Sequence, residues 1–178
     1  MTATLTNHQI RLAKRPEAAA TREHWRFTTE PVGEPAEGGV LVKTLSLSLD
    51  PAMRGWLNDA KSYIPPVAID EVMRAGGVGR VVASKNPAFA VGDTVYGTLN
   101  VQEYMLIPQE EIKRNGLVKI DLRVGTIGQW LNVLGMPGMP STLSHWLMVP
   151  TLRSIFTRPL RLIWSCGMRV YSCTPSMP

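Results

Sequence analysis

Between residues 8 and 107 the apolar positions come in short runs with a period of two, interrupted by glycine, proline and asparagine. Alternate side chains of a strand face opposite ways, so these runs predict strands joined by turns. "HQIRLA" opens the series at residue 8. In "GGVLVKTLSLSLD", Val40, Val42, Leu45, Leu47 and Leu49 fall in near-alternation. Lys43 and the serines take the other face, as in a half-buried strand. "GRVVAS", "DTVYGTL" and "QEYMLIP" are three further strands, rich in β-branched and aromatic residues. Pro87 and Gly92-Asp93 supply turn chemistry between the first two of these. The pattern predicts a mainly β domain over residues 8–122, a sandwich or small barrel.

Two stretches depart from the period of two. In "WLNDAKSYIPPVAIDEVMRA", residues 56–75, Pro65 and Pro66 forbid a continuous helix, leaving a loop or short helical turn followed by extended chain. A loop of this kind on a rigid barrel is a place where ligand contacts concentrate. "VGTIGQWLNVLG", residues 124–135, predicts a short helix around Trp130, Leu131, Val133 and Leu134.

Charge changes the picture only in where it lies. The net charge is +5, but all 14 acidic residues fall between Glu17 and Asp121, against 15 basic residues in 1–139. The excess comes from Arg153, Arg158, Arg161 and Arg169, so the main domain carries no basic patch and the composition points to neither nucleic acid nor membrane as partner. Both cysteines, Cys166 and Cys173, lie beyond residue 165, which excludes a disulfide framework or thiolate metal site before them. No secretory signal is visible at the N-terminus and no uncharged apolar run is long enough to span a bilayer. The expected address is the cytoplasm.

Two candidate chemistries fail on inspection. "RAGGVGRVVAS" resembles a dinucleotide fingerprint, but Val82 stands where the third glycine belongs and a strand follows in place of a helix. Without a helix N-terminus there is no pyrophosphate cradle, and glycines permitting a tight bend in a barrel strand are the better reading. His8, His24 and His145 lie far apart, with no second ligand at metal spacing, so no metal site is expected.

Several ordered motifs then carry a resemblance. "LSLDPAMRGWLNDAKSYIPPV" at 46–67, "MRAGGVGRVVAS" at 73–84, "FAVGDTVYG" at 89–97, "QEY" at 102–104 and "VLGMPGM" at 133–139 stand in one order. That arrangement resembles the zinc-independent medium-chain dehydrogenase/reductase family, in its NADPH-dependent double-bond reductase branch, over residues 8–139. The branch includes prostaglandin reductases, leukotriene B4 12-hydroxydehydrogenases and curcumin reductases. The resemblance implies a GroES-like, partly open β-barrel over residues 1–139, the N-terminal lobe of such a reductase. It implies NADPH as cofactor, an α,β-unsaturated ketone or aldehyde as substrate, reduction of its C=C bond, and a homodimer as the frequent assembly. Tyr63 matches a substrate-pocket tyrosine, whose ring could equally pack on Pro65 and Pro66. Asp50 and Arg54 match the "DPxMR" element as substrate-side residues, and an ion pair between them would fix the loop. Ala52 replaces a tyrosine common in that element. Met136 and Met139 would face the cofactor cleft.

From Pro140 onward nothing matches. Residues 140–178 hold five prolines, six serines, four arginines and no Asp, Glu or Lys. This is the composition of an out-of-frame translation or of a divergent tail, expected to be poorly ordered and without the family's Rossmann domain. Without that domain, Trp130, Leu134, Met136 and Met139 should be partly uncovered and the chain should neither bind NADPH nor catalyse by itself. A non-catalytic barrel that binds a partner through the uncovered face is the alternative reading.

Overall fold

The first strand, β1 (Thr6–Leu12), pairs antiparallel with β2 (Trp25–Pro31) along its whole length, Thr6 opposite Pro31 and Leu12 opposite Trp25. The computed structural model describes residues 5–60, 64–134 and 161–163. A second sheet holds β3 (Val40–Ser48), β4 (Gly76–Ser84), β5 (Thr94–Thr98), β6 (Tyr104–Ile107) and β7 (Val118–Lys119), in the spatial order β6-β3-β4-β5-β7. A last short strand, β8 (Arg161–Ile163), runs parallel to β3. Every other strand pairing among the described residues is antiparallel. The Val91-Gly92-Asp93 turn that joins β4 to β5 needs its glycine, whose φ of 95° places it in the left-handed region.

The two sheets meet along β1. Ile10 N–H donates to Val101 O at 3.0 Å, Met73 N–H to Ile10 O at 2.8 Å and Glu103 N–H to His8 O at 3.1 Å. A buried amide cluster closes the same seam: Asn7 Nδ2 and Gln9 Nε2 each donate to Gln102 Oε1 at 3.1 Å, and Gln102 Nε2 reaches Leu99 O. Buried amides are tolerated because they pair with one another and with main chain. The result is mainly β, as the period-two runs predict, and a partly open barrel, as the resemblance implies.

The core fills the space between the sheets with Ile10, Leu12, Val40, Val42, Leu47, Met53, Leu57, Val67, Met73 and Leu99, all buried. A smaller cluster of Val78, Ile120 and Leu131 lies under the helix α2 (Ile127–Leu134). That helix starts where its sequence says it should. Thr126 Oγ1 accepts from Gln129 N–H while Gln129 Oε1 accepts from Thr126 N–H at 2.8 Å, a reciprocal cap. Trp130 Nε1 donates to Asp121 O, leaving Trp130 half-buried, and Leu134 is exposed.

One expectation for β3 is corrected. Lys43 is exposed, but Thr44, Ser46 and Ser48 are buried, so the second half of the strand is covered on both faces. β3 is also flanked on both edges, by β4 on one and by β6 and β8 on the other, but face burial reflects what packs above the sheet, which alternation along the strand does not report. The expectations for residues 140–178 fall outside the described residues except at Arg161–Ile163. Among the described residues, no helix is long and apolar enough to cross a membrane.

Candidate functional site

β3 ends at Ser48, and Leu49-Asp50-Pro51 turns the chain into a single helical turn, α1 (Ala52–Gly55). Pro51 suits the start of a helix because its missing N–H has no intrahelical partner there anyway. Asp50 O accepts from Met53 N–H at 3.0 Å, and Met53 points its side chain into the core. Trp56 and Leu57 are buried next, and Val67 N–H donates back to Trp56 O at 2.8 Å. The segment thus leaves the core at Asn58, and after it Ile64 packs against the core and Val67 is buried in it.

Three arginines fix this loop through main-chain oxygens. Arg54 Nη2 donates to Pro16 O at 3.0 Å and to Ala18 O at 2.7 Å, its Nε also reaches Ala18 O, and its Nη1 donates to Asn58 Oδ1 at 2.6 Å. Arg15 Nη1 donates to Leu57 O at 2.8 Å. Arg74 Nη1 donates to Pro65 O at 3.0 Å while its guanidinium lies 5.7 Å from the centre of the Trp56 ring. A planar guanidinium with several donors suits this task, since it bridges carbonyls on separate segments and stacks on an aromatic face.

The expected Asp50–Arg54 ion pair is not among those formed by the described residues; Arg54 instead ties the loop to the Pro16–Ala18 segment. Asp50 lies close enough to Tyr96 of β5 for its charge to matter. Burial pushes the Tyr96 phenol up, and the Asp50 carboxylate adds to that shift. Tyr96 Oη reaches over Gly76 of β4, where a β-carbon would stand 3.3 Å from it. Asp50, Gly76 and Tyr96 therefore gather at one end of the sheet, beside the loop. The sequence reading passed over Tyr96; its signal is the "VYG" of a strand paired to the glycine-rich one. Tyr63, Met136 and Met139 lie outside the described residues, so only the two anchored flanks of Tyr63, Asn58–Ala60 and Ile64–Val67, are described.

The histidines and the glycine cluster weighed in the sequence can be placed among the described residues. Among the described residues no three His, Cys, Asp or Glu side chains come together. His8 Nδ1 pairs with Glu103 at 2.6 Å, and His24 Nδ1 accepts from Thr21 N–H. Gly77 and Gly79 lie mid-strand in β4, opposite Leu47 and Thr44. A β-carbon on Gly77 would come within 2.9 Å of Ser46 O; one on Gly79 would collide with Val42 Cγ1 and sit 2.7 Å from Lys43 O. These glycines allow close packing of β4 on β3. No helix follows them, so this glycine cluster does not fit the pyrophosphate of a dinucleotide.

Comparisons with known proteins agree with this geometry. A protein-family profile described as the N-terminal domain of oxidoreductase matches residues 8–114, more than half of the chain. The NADPH-dependent curcumin reductase of Escherichia coli (strain K12) is 42% identical over 132 residues, which is 74% of this chain and 37% of that protein. The NADP(+)-dependent 2-alkenal reductase of Nicotiana tabacum is 35% identical over 101 residues, 56% of this chain and 28% of that protein. The crystal structure of CurA in complex with NADPH from Vibrio vulnificus superposes with a TM-score of 0.64 at 39% identity, over 73% of this chain and 37% of that one. The chain spans under two-fifths of the length of each of these relatives.

Proposed function

This chain belongs to the zinc-independent medium-chain dehydrogenase/reductase family, with residues 8–114 as its N-terminal oxidoreductase domain, and on that premise we propose that the lobe forms the substrate-side wall of an NADPH-dependent reductase acting on the C=C bond of α,β-unsaturated ketones and aldehydes. The relatives' names support that substrate class, since one reduces curcumin and another 2-alkenals. The observation that carries the reading is the pinned loop. Its two flanks are held by Arg54, Arg15 and Arg74, which leaves the short span with Tyr63 between fixed ends.

Reducing a conjugated C=C bond places negative charge on the carbonyl oxygen as an enolate forms. A wall that holds a hydroxyl donor still, and away from water, stabilises that charge without reorganising at the moment of reaction. In this reading Tyr63 lines the pocket, Asp50 closes its floor beside Tyr96, and Arg54 positions the loop without touching substrate. Bound NADPH supplies the hydride in the family. The described residues offer it no cradle, so the 178-residue chain is proposed to bind substrate without turning it over. The proposed boundary falls at residue 139, with 140–178 a divergent segment and the cytoplasm as the compartment.

Amide chemical shifts, followed while the chain is titrated with a conjugated enone and separately with its saturated ketone, test the assignment. The enone should move signals of residues 50–67 and of Tyr96 more than the ketone does. An equal response to both ligands, or a response centred elsewhere on the barrel, contradicts it.

A further inference from the structure

Three side-chain hydroxyls of β3, on Thr44, Ser46 and Ser48, are buried with no hydrogen-bond partner among the described residues. A hydroxyl buried in this way lowers stability, so each one calls for a reason. The pairing shows where they point. Thr44 stands opposite Gly79, where a β-carbon would meet Val42 and Leu99 of the core, so Thr44 faces inward. Ser46 stands opposite Val78, and Val78 opposite Tyr96. Directly paired residues share a face of the sheet, and Val78 packs in the cluster under α2. Ser46 and, two residues on, Ser48 therefore face the α2 side, while Leu47 between them faces the main core.

The next step of the same register brings Ser48 beside Gly76, the residue that Tyr96 Oη overhangs. A β-carbon at Gly76 would stand 3.3 Å from Oη, close to hydrogen-bond reach. Apart from the tip of Tyr96 and the chain neighbours of Gly76, no described atom comes within 4 Å of that point. Asp50, Gly76 and Tyr96 are each partly exposed, so the spot opens outward, whereas Ser48 is 1% exposed. The phenol keeps its proton there, because burial and the Asp50 charge both push its ionisation up. Arg54 and Arg74 of the neighbouring segments are directed to main-chain oxygens.

We propose that Tyr96 and Ser48 form a seat of two neutral hydroxyl donors for the carbonyl oxygen of an uncharged enone or enal, over the open floor at Gly76, and that the charge of Asp50 turns carboxylates away from it. The proposal rests on the reading of this lobe as a substrate-side wall. A carbonyl oxygen has two lone pairs and accepts both bonds. It brings no charge to sit beside the Asp50 carboxylate, whereas an α,β-unsaturated acid does. Ser48 Oγ draws its partner from the ligand, which is the reason for a hydroxyl at a position where the fold itself has no use for one.

The ketone 3-nonen-2-one, carrying carbon-13 at its carbonyl, tests the seat on the full chain, since a carbonyl carbon moves downfield as its oxygen accepts hydrogen bonds. Binding to the parent chain should move that signal downfield. Tyr96→Phe and Ser48→Ala should each cut the bound shift by about half and weaken binding about tenfold, the loss of one buried hydrogen bond. Ser46→Ala removes an equally buried hydroxyl one residue pair further from Tyr96 Oη and should match the parent. Neither Tyr96→Phe, which keeps the ring, nor Ser48→Ala, which removes a hydroxyl without a protein partner, should lower the denaturant midpoint. In 2-octenoate a carboxylate oxygen replaces the methyl group of the ketone. It should bind the parent about tenfold more weakly, and Asp50→Asn should narrow that gap. A ketone that moves no amides of residues 50–67 or of Tyr96 overturns both the seat and the reading beneath it. A ketone that moves those amides, while Tyr96→Phe or Ser48→Ala leaves the carbonyl signal where the parent puts it, overturns the seat alone. Equal binding of 2-octenoate and the ketone does so too.

Discussion

The loop from Asp50 to Val67 and the strand from Gly76 to Ser84 both carry the residues that suggest chemistry, and the structure treats them in opposite ways. The loop has ordinary composition, yet Arg15 and Arg74 hold its main chain from outside, its own Arg54 ties it to the Pro16 and Ala18 carbonyls, and the Asp50 charge acts on the half-buried Tyr96 phenol. The strand looks like a phosphate-binding fingerprint, yet its glycines are filled from above by the side chains and carbonyls of β3 and by Leu99. The lesson is that a glycine pattern is informative only with the element that follows it, while a site held by side chain to main-chain bonds shows in sequence only as scattered arginines.

Substitution at Gly79 separates the two readings of the strand most sharply. Gly79→Ala puts a methyl group against Val42 and the Lys43 carbonyl, neither of which can swing away. It should destabilise the fold by about 3 kcal/mol, the upper range for overpacking. Gly76→Ala meets only the tip of Tyr96 and should cost about 1 kcal/mol or less. Denaturant midpoints read both; a neutral Gly79→Ala would return the strand to the phosphate-cradle reading.

The loop is probed next. Arg54→Ala removes the donors to Pro16, Ala18 and Asn58 and should cost about 2 kcal/mol. Arg54→Lys should recover less than half, because one ammonium cannot reach oxygens of three residues on two segments in the same plane. Full rescue by lysine would mean that charge, not bridging geometry, holds the loop. Arg74→Ala loses the Pro65 carbonyl and the Trp56 face and should cost about 1 kcal/mol.

How far the chain could be read in advance follows the same division. Strands, turns and the helix near Trp130 were legible because each is a local pattern: alternation in β1, β-branched and aromatic runs in β4, β5 and β6, the Gly92-Asp93 turn, and the apolar cluster around Trp130. The burial of Ser46 and Ser48 was not, because alternation reports two faces and says nothing of what covers the second one. Arg54 was placed at the right loop with the wrong partner. Its true partners, the carbonyls of Pro16 and Ala18, are main-chain groups that no residue pattern marks. Tyr96 was missed because its neighbours, Asp50 and Gly76, come from two other segments of the chain.

The smallest expected effect is a pH dependence far from the loop. Arg123 bonds hold the Asp121 carboxyl down to about 2, and Lys119 with the Ala90 N–H lowers that of Asp93. A carboxyl depressed in the folded state stabilises the fold above its ordinary value and loses that contribution as pH falls through the folded value. For Asp121 this window runs from 3.8 down to about 2. Asp121→Asn should therefore lower stability slightly at neutral pH and flatten the acid limb of the profile, with variant and parent converging as pH falls toward about 2, as thermal melts from neutral pH down through that range will show.

The central claim is that this chain carries a substrate-side lobe whose glycine-rich strand is a packing device and not a nucleotide site. Titrating the 178-residue chain with NADPH by calorimetry tests it most directly. The account predicts no saturable heat, with the enone still shifting the amides of residues 50–67. Saturable micromolar binding of NADPH, abolished by Gly79→Ala in a variant that remains folded, would contradict it.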